Sequence, residues 1–436
     1  MNKIIYGFIL ILLAVFVSCE ETGKEDLVTY TSKQARSEKR GICFNVLYEA
    51  DFAQLKNGIS WAYNWGASGY SDALVNLAKE GRIDYFPMFW DSLNITKKWE
   101  KQIREYKQAN PDCIYILAYN EPNLTNQANM TPAQAAVQWQ QVKKLAQELN
   151  MKIVAPAMNY GTLPEYEDPI TWMDEFFDQP GVSLDDVAAL ALHSYMPSPL
   201  AVKEYIERFR KYDKPIWLTE FSAWEGNYSA EDQREFMCSM LNYLESDPLI
   251  ERYAWFKYDG GMAVTERSNS KLRPSGNRTG ELTDLGKIYI YFSSFDKGLY
   301  YVQGQAIPAE HYNNCNASEM TGTPNFAGGP QLKVSSDVSG ILEVADMYIL
   351  QWMEYQITPE TAGDYQLNFR YASEYGAKMK ISSNGNELRE IDLSKTGSNT
   401  AWTTVTSTVP LNSGKQTIRI QPSQGMFSLN WWKYEK

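Results

Sequence analysis

Histidine is nearly missing from this sequence: His193 and His311 are the only two in 436 residues. A Ser-His triad must use one of them, and a histidine-rich metal centre needs more than they supply, so neither is expected. Positive charge is also short, with 41 Lys and Arg against 53 Asp and Glu and a net charge of −12. An acidic chain is repelled by phosphate backbones, so no nucleic-acid partner is expected, while a neutral polymer is compatible with this balance. The 5 cysteines show no Cys-x-x-Cys spacing and no neighbouring histidine pair, which argues against a zinc site. Cys43 and Cys113 sit in apolar runs and read as buried thiols; a disulfide among Cys43, Cys113, Cys238 and Cys315 stays open. No metal and no cofactor are expected.

Long apolar runs are scarce as well. Ile4–Val17 follows Lys3 and is too short for a comfortable membrane span, so it reads as a signal-peptide core. It ends in Phe16-Val17-Ser18-Cys19, followed by Glu20 and Glu21. Residues 1–19 resemble a bacterial lipoprotein signal in which Cys19 is lipidated, with Phe16 in place of the usual leucine; the acidic pair resembles the surface-export signal of Bacteroidetes lipoproteins. This likeness implies a secreted lipoprotein at the bacterial outer membrane or cell surface, touching the membrane only through its lipid. Residues 20–40 are polar and charged and read as a flexible linker.

Aromatic residues, by contrast, are plentiful at 14%, with 13 Trp and 29 Tyr. They serve core packing or present flat faces to sugar rings. From Gly41 on, apolar runs alternate with amphipathic stretches: Gly41–Tyr48, Ile59–Trp65, Tyr85–Trp90, Ile114–Tyr119, Ile153–Met158, Ala188–Tyr195, Ile216–Phe221 and Tyr253–Tyr258. They lack polar alternation, as strands buried on both faces do. Eight such runs predict an α/β fold, a (β/α)₈ TIM barrel over 41–296. Thr131-Pro132-Ala133-Gln134 and Ser229-Ala230-Glu231-Asp232 are helix-start signals, the first followed by Val137, Leu145 and Leu149 at helical spacing. Pro199, Pro169 and Thr96 open three more helices, and 262–281 reads as a long loop. After a linker at 297–306, period-two runs such as Met353–Ile357, Tyr365–Tyr371, Met379–Ser382 and Thr417–Ile420 are separated by turn signals such as Asn384-Gly385. They predict an antiparallel β-sandwich of jelly-roll type over 307–436.

Two of the eight runs end in glutamate: the fourth in Tyr119-Asn120-Glu121-Pro122-Asn123, the seventh in Trp217-Leu218-Thr219-Glu220-Phe221. A carboxylate there is costly to bury without partners, and in a parallel barrel it emerges at the C-terminal face, where active sites lie. Strands four and seven sit on opposite parts of the ring, so the two can face each other. Glycoside hydrolysis needs that pair: one carboxyl protonates the leaving oxygen, the other attacks the anomeric carbon. The nearby anion is expected to raise the pKa of the acid.

At these residues the chain resembles clan A retaining glycosidases, and more closely glycoside hydrolase family 128. The resembling stretches are Trp61–Trp65, Pro87–Trp90, Asn120–Asn123, His193–Tyr195, Trp217–Phe221 and Tyr253–Phe256, in the family's order. The resemblance implies a β-1,3-glucan substrate cut internally or from a chain end, with internal cutting favoured, Glu121 as acid/base and Glu220 as nucleophile. It also implies that Asn120 bonds the sugar 2-hydroxyl, that Tyr195 or His193 orients Glu220 or the substrate, and that Trp255 floors the catalytic subsite, with Trp61, Trp65, Trp90 and Trp224 as further subsite candidates. Residues 307–436 resemble a family 6 carbohydrate-binding module, but Asn399 stands where that family often has a stacking Trp. The platform is then missing or rebuilt from Tyr348, Tyr375 or Trp431, with Trp402 in the core; Glu310 resembles a ligand of that family's structural calcium, with too few partners to form a site. The other readings are a non-catalytic glycan-binding surface lipoprotein, and the same chemistry on mannan or xylan.

Overall fold

The computed structural model describes residues 35–224, 228–259, 268–317 and 328–436. The signal segment with Cys19, most of the 20–40 linker and the first part of the 262–281 loop lie outside the described residues. Among the described residues no helix is long and apolar enough to cross a membrane.

The first part of the chain is a curled sheet of nine parallel strands with helices outside it. The strands are β1 (Arg40–Cys43), β2 (Trp61–Tyr63), β3 (Asp84–Tyr85), β4 (Met88–Phe89), β5 (Tyr115–Ala118), β6 (Lys152–Met158), β7 (Val187–Ser194), β8 (Ile216–Phe221) and β9 (Ile250–Trp255). Their order is β3-β2-β1-β9-β8-β7-β6-β5-β4. The closed eight-stranded ring expected from the sequence is thus not what the ladders form. The third expected strand, Tyr85–Trp90, is split in two, and its halves stand at opposite edges of the sheet. Pro87 lies at the break and has no N–H to give to a ladder.

Helices α1 (Asp72–Gly81), α2 (Lys97–Ala109), α3 (Pro132–Glu148), α4 (Pro169–Phe177), α5 (Pro199–Glu207), α6 (Ala230–Ser246) and α7 (Asp284–Tyr291) alternate with the strands. The expected starts hold: Thr131 Oγ1 accepts from the Gln134 N–H while Gln134 Oε1 accepts from the Thr131 N–H, and Ser229 and Asp232 cap each other likewise. One expectation fails: Val137 is 73% exposed. The buried stripe of α3 runs through Ala135, Trp139, Val142, Leu145 and Ala146 instead, a phase of the 3.6 period that tertiary packing selects.

The lower end of the sheet is plugged by rings. Trp61 stacks 5.5 Å from Phe86 and lies 5.5 Å from Trp217. The strands β2 and β8 that carry Trp61 and Trp217 are not neighbours, so these residues meet across the interior. Trp61, a candidate sugar platform by sequence, is fully buried core.

Beneath them, the fully buried Arg40 uses its whole guanidinium. It donates to Glu245 (2.7 Å), Tyr253 (2.9 Å) and the carbonyls of Ala35, Tyr289, Phe292 and Ser293. This ties β1 to α6, β9 and the end of α7. A buried charge is tolerable when so completely bonded.

The remaining strands form two packed antiparallel sheets. Strands β10 (Ile307–Pro308), β12 (Gln331–Val334), β13 (Leu342–Met347), β15 (Gly363–Ala372), β18 (Thr403–Leu411) and β20 (Phe427–Glu435) make one. Strands β11 (Asn314–Cys315), β14 (Met353–Ile357), β16 (Ala377–Ser383), β17 (Asn386–Leu393) and β19 (Gln416–Gly425) make the other. Asn384 and Gly385 turn β16 into β17 with φ of 47° and 84°, the left-handed pair of a tight hairpin.

Helix α6 is buried along most of its length because the sandwich covers its outer face. Asn242 donates to the Pro330 carbonyl (3.0 Å) and accepts from the Tyr312 hydroxyl (2.8 Å), and Arg234 donates to the Leu332 carbonyl (3.0 Å). Cys43, Cys113, Cys238 and Cys315 are all buried free thiols.

Removing Glu245 leaves the Arg40 charge buried without its anion. Glu245→Ala is expected to cost about 3–5 kcal/mol of stability, measured as a lower urea midpoint with unchanged slope. A loss below about 1 kcal/mol would show that the carbonyls alone satisfy Arg40.

Candidate active site

Glu121 follows β5 on a backbone bent for it. Its N–H donates to the Ala157 carbonyl of β6 (3.0 Å), and its φ is 44°. A left-handed non-glycine residue costs on the order of 1–3 kcal/mol and persists only where its surroundings enforce it. They do so here through Asn123, fully buried, whose side-chain amide donates to the carbonyls of Asn159 (2.8 Å) and Tyr166 (3.2 Å). The last residue of the Asn120–Asn123 motif thereby joins the loop after β5 to the loop after β6.

Glu220 lies one residue from the end of β8 and is only 3% exposed. Its Oε1 accepts from the Tyr63 hydroxyl (2.9 Å) and from Trp65 Nε1 (2.7 Å), and its Oε2 accepts from the Tyr195 hydroxyl. Trp65 also has a positive φ, 63°.

His193 of β7 stands between the two acids. Its Nδ1 is hydrogen-bonded to Glu121 Oε1 at 2.9 Å and its Nε2 is 3.5 Å from Glu220 Oε1. The three residues present atoms all within 4.8 Å of one another, and all three are buried. Among the described residues no other group gathers three metal-ligating side chains so closely. Here the imidazole turns one nitrogen to each carboxylate, which suits proton sharing rather than ligation of one ion. Glu310 is fully buried and is not part of such a cluster.

The electrostatics follow from this burial. Desolvation raises the Glu220 carboxyl above its ordinary range; His193 opposes this and the Glu121 charge adds to it. Desolvation alone would lower His193, but Glu220 and Glu121 outweigh it and hold its pKa up. Burial and the Glu220 charge push the Tyr63 and Tyr195 phenols well above their usual value, so both remain donors.

The fold brings together most of the residues singled out from the sequence: Glu121, Glu220, His193, Tyr195 and Trp65 form one bonded set. Asn120 joins them along the chain, its side-chain amide donating to Gln127 (3.2 Å). Trp90 is half-buried, with its carbonyl accepting from the Asn120 N–H (2.8 Å). Trp224 is half-buried 6.4 Å from the Tyr195 ring. Trp255 does not reach the site. It is fully buried against Phe221, Phe236 and Tyr289 and donates to the Ser270 carbonyl.

The next residue takes the place expected for Trp255. Phe256 sits edge-on to Tyr195 (5.3 Å), Trp224 (5.4 Å) and Trp65 (6.0 Å). Successive strand side chains point to opposite faces, so a one-residue misjudgement exchanges wall for core. Tyr63 and Asn159 were also missed. Both stand at the C-terminal ends of strands, a position signal that an isolated Tyr or Asn does not advertise.

In the sandwich, Tyr375 is 81% exposed, whereas Trp431 is buried and cannot be a platform. Tyr348 is half-buried. Trp402, expected in the core, is half-buried and donates to Ser336 (3.0 Å). Asn399 bonds Asp346 (2.7 Å).

Removing the Tyr195 hydroxyl takes a donor from the anionic form of Glu220. In Tyr195→Phe the Glu220 carboxyl is expected to titrate higher than in the parent, whose own midpoint lies above the ordinary 4.5. Carbon-13 shifts of labelled glutamate measure both, and a downward move in the variant would contradict this electrostatic account.

Comparison with known proteins adds the following. A family described as "Glycosyl hydrolase catalytic core" matches residues 41–289. A family 35 carbohydrate-binding module matches residues 327–434, which replaces the family 6 likeness read from the sequence. Two similar solved structures belong to glycoside hydrolase family 128, subgroup II. One is an endo-β-1,3-glucanase from Pseudomonas viridiflava, 34% identical with a TM-score of 0.52, covering 59% of this chain and 98% of that one. The other is an endo-β-1,3-glucanase from Sorangium cellulosum, 29% identical with a TM-score of 0.51, covering 58% and 97%. Among curated proteins, "Alkali-sensitive linkage protein 1" of Schizosaccharomyces pombe is 24% identical over 268 residues, 58% of this chain and 44% of the relative. The "Clotting factor G alpha subunit" of Tachypleus tridentatus is 28% identical over 134 residues, 30% of this chain and 18% of the relative. The chain thus spans less than half the length of either curated relative.

Proposed function

The chain belongs to the glycosyl hydrolase catalytic core family, and from that premise we propose that it is a retaining hydrolase of β-1,3-glucan with Glu121 as acid/base and Glu220 as nucleophile. The observation that carries the mechanism is that one oxygen of Glu121 and one of Glu220 lie within 4.8 Å of each other. Retaining enzymes hold theirs about 5–5.5 Å apart, whereas inverting ones leave about 6.5–9.5 Å for a water.

A Glu220 oxygen attacks the anomeric carbon as the glycosidic C–O bond breaks, and Glu121 gives its proton to the departing oxygen. Water then attacks the glycosyl ester, loses a proton to Glu121 and frees Glu220. Tyr63, Trp65 and Tyr195 hold the nucleophile in place. Asn120 Oδ1 is buried without a partner among the described residues and is suited to the substrate 2-hydroxyl. Trp65, Trp90, Trp224 and Phe256 wall the sugar sites.

Likeness to two endo-β-1,3-glucanases supports the substrate and internal cutting. We read the split strand as the seam of a (β/α)₈ barrel: the Phe86 N–H bonds the Ala62 carbonyl on one side, and the Pro87 carbonyl accepts from the Leu117 N–H on the other. In this reading the barrel spans 41–296, and the sandwich over 307–436 holds glycan near it, with exposed Tyr375 available for stacking. Cys19 carries the lipid that keeps the enzyme at the bacterial surface.

Laminarin and curdlan are expected to be cleaved with the β-anomer formed first by proton NMR; initial release of the α-anomer would exclude retention. Glu121→Ala is expected to lower kcat by about 10²–10⁴-fold, and Glu220→Gln at least as much with laminarin binding retained. Turnover of mannan or xylan but not laminarin would overturn the substrate. Because Glu220 must be anionic and its carboxyl is raised, kcat/KM is expected to fall on acidification with a midpoint above 4.5.

A further inference from the structure

An acid catalyst has two oxygens, and only a proton on the one facing the leaving group is useful. In Glu121 the two are distinct. Oε1 accepts from Asn159 Nδ2 (3.2 Å) and lies 2.9 Å from His193 Nδ1. Oε2 has no hydrogen-bond partner among the described residues. An amide NH₂ can only donate, so an oxygen that receives it acts as an acceptor. The way the Asn159 amide faces is not arbitrary either: its Oδ1 accepts from the Tyr160 N–H at 2.8 Å, which leaves Nδ2 as the end turned to Glu121. Its main chain is pinned in turn, because the Asn159 carbonyl accepts from buried Asn123.

We propose that Asn159 is a positioning residue that confines the catalytic proton of Glu121 to Oε2. The inference rests on the reading of Glu121 as the acid. Asn159 acts with His193, whose Nδ1 lies against the same oxygen. His193 by itself is an ambiguous partner, since an imidazole nitrogen can give or take a proton. Were Nδ1 an acceptor, the proton could settle on Oε1, the oxygen enclosed by Asn159 and His193. The neutral amide of Asn159 cannot accept it there, so it biases both groups toward the useful arrangement. The other titratable groups around Glu121 are Glu220 on β8, Tyr63 at the end of β2, Tyr195 after β7 and Tyr205 on α5.

The test is Asn159→Asp, in which a carboxyl of similar size meets Oε1 and shares the proton on the wrong side. Two substrates are compared: laminarin, whose sugar leaving group needs the acid, and 2,4-dinitrophenyl β-laminaribioside, whose leaving group departs unprotonated. The pre-steady-state burst of dinitrophenolate reports the first bond cleavage alone. Asn159→Asp is expected to lower kcat on laminarin on the order of 10-fold or more, within the roughly 10²–10⁴-fold that an acid supplies, and to leave the burst rate within about twofold. Asn159→Ser, a neutral residue, is expected to lose less on laminarin than the aspartate, with the same intact burst. An equal fall on both substrates in both variants, or an unchanged rate on laminarin, overturns the proposal. Glu121→Ala is the control. If it loses the burst as severely as laminarin turnover, the reading of Glu121 as the acid fails and the proposal with it; if it keeps the burst while Asn159→Asp loses it, only the role of Asn159 is wrong.

Discussion

Two carboxylates buried side by side repel each other, and the structure around them supplies what that burial requires. Glu121 and Glu220 are 5% and 3% exposed, where an isolated anion costs several kcal/mol. His193 is placed to offset both charges at once, one ring nitrogen facing each acid. Four further donors, Asn159, Tyr63, Trp65 and Tyr195, take up carboxylate oxygens. They come from the C-terminal ends of three strands, β2, β6 and β7, or the loops just after them. The site therefore exists only when β2, β5, β6, β7 and β8 are in register, which makes the curled sheet a condition of the chemistry.

That sheet is braced from below and from the side. Rings of Trp61, Phe86, Trp217 and Tyr115 fill its lower interior, and the guanidinium of Arg40 ties strand and helix ends together beneath them. The antiparallel sandwich covers α6, the helix that follows the Glu220 strand. Through Arg234, Cys238 and Asn242 that helix bonds to the sandwich chain. The binding-module-like half thus contributes to the packing of the half that carries the acids, whatever it does with glycan.

Much of this was legible in the chain. Apolar runs without alternation announced a buried parallel sheet, and a glutamate at the end of two of them stood out because such a residue needs a reason to be there. Capping residues Thr131 and Ser229 marked helix starts through hydrogen bonds made within four residues. The turn at Asn384-Gly385 was equally local. Where a residue points was less legible. Trp255 and Phe256 are adjacent aromatics at the end of β9, and which one faces the acids depends on strand phase. Val137 and Trp139 pose the same problem on α3, as do Trp402 and Trp431 in the sandwich.

Near-neighbour chemistry was thus set by the sequence alone: which segments are strands, where helices begin, and which two acids end apolar runs. Only the tertiary structure decided that Pro87 divides a strand between two sheet edges, that His193 bridges the acids, and that Tyr63 and Asn159 belong to the site. The Asn159–Glu121 and Tyr63–Glu220 contacts join residues 38 and 157 positions apart. No local rule connects such distant positions; they meet because a sheet curls, and curling is a property of all its strands together.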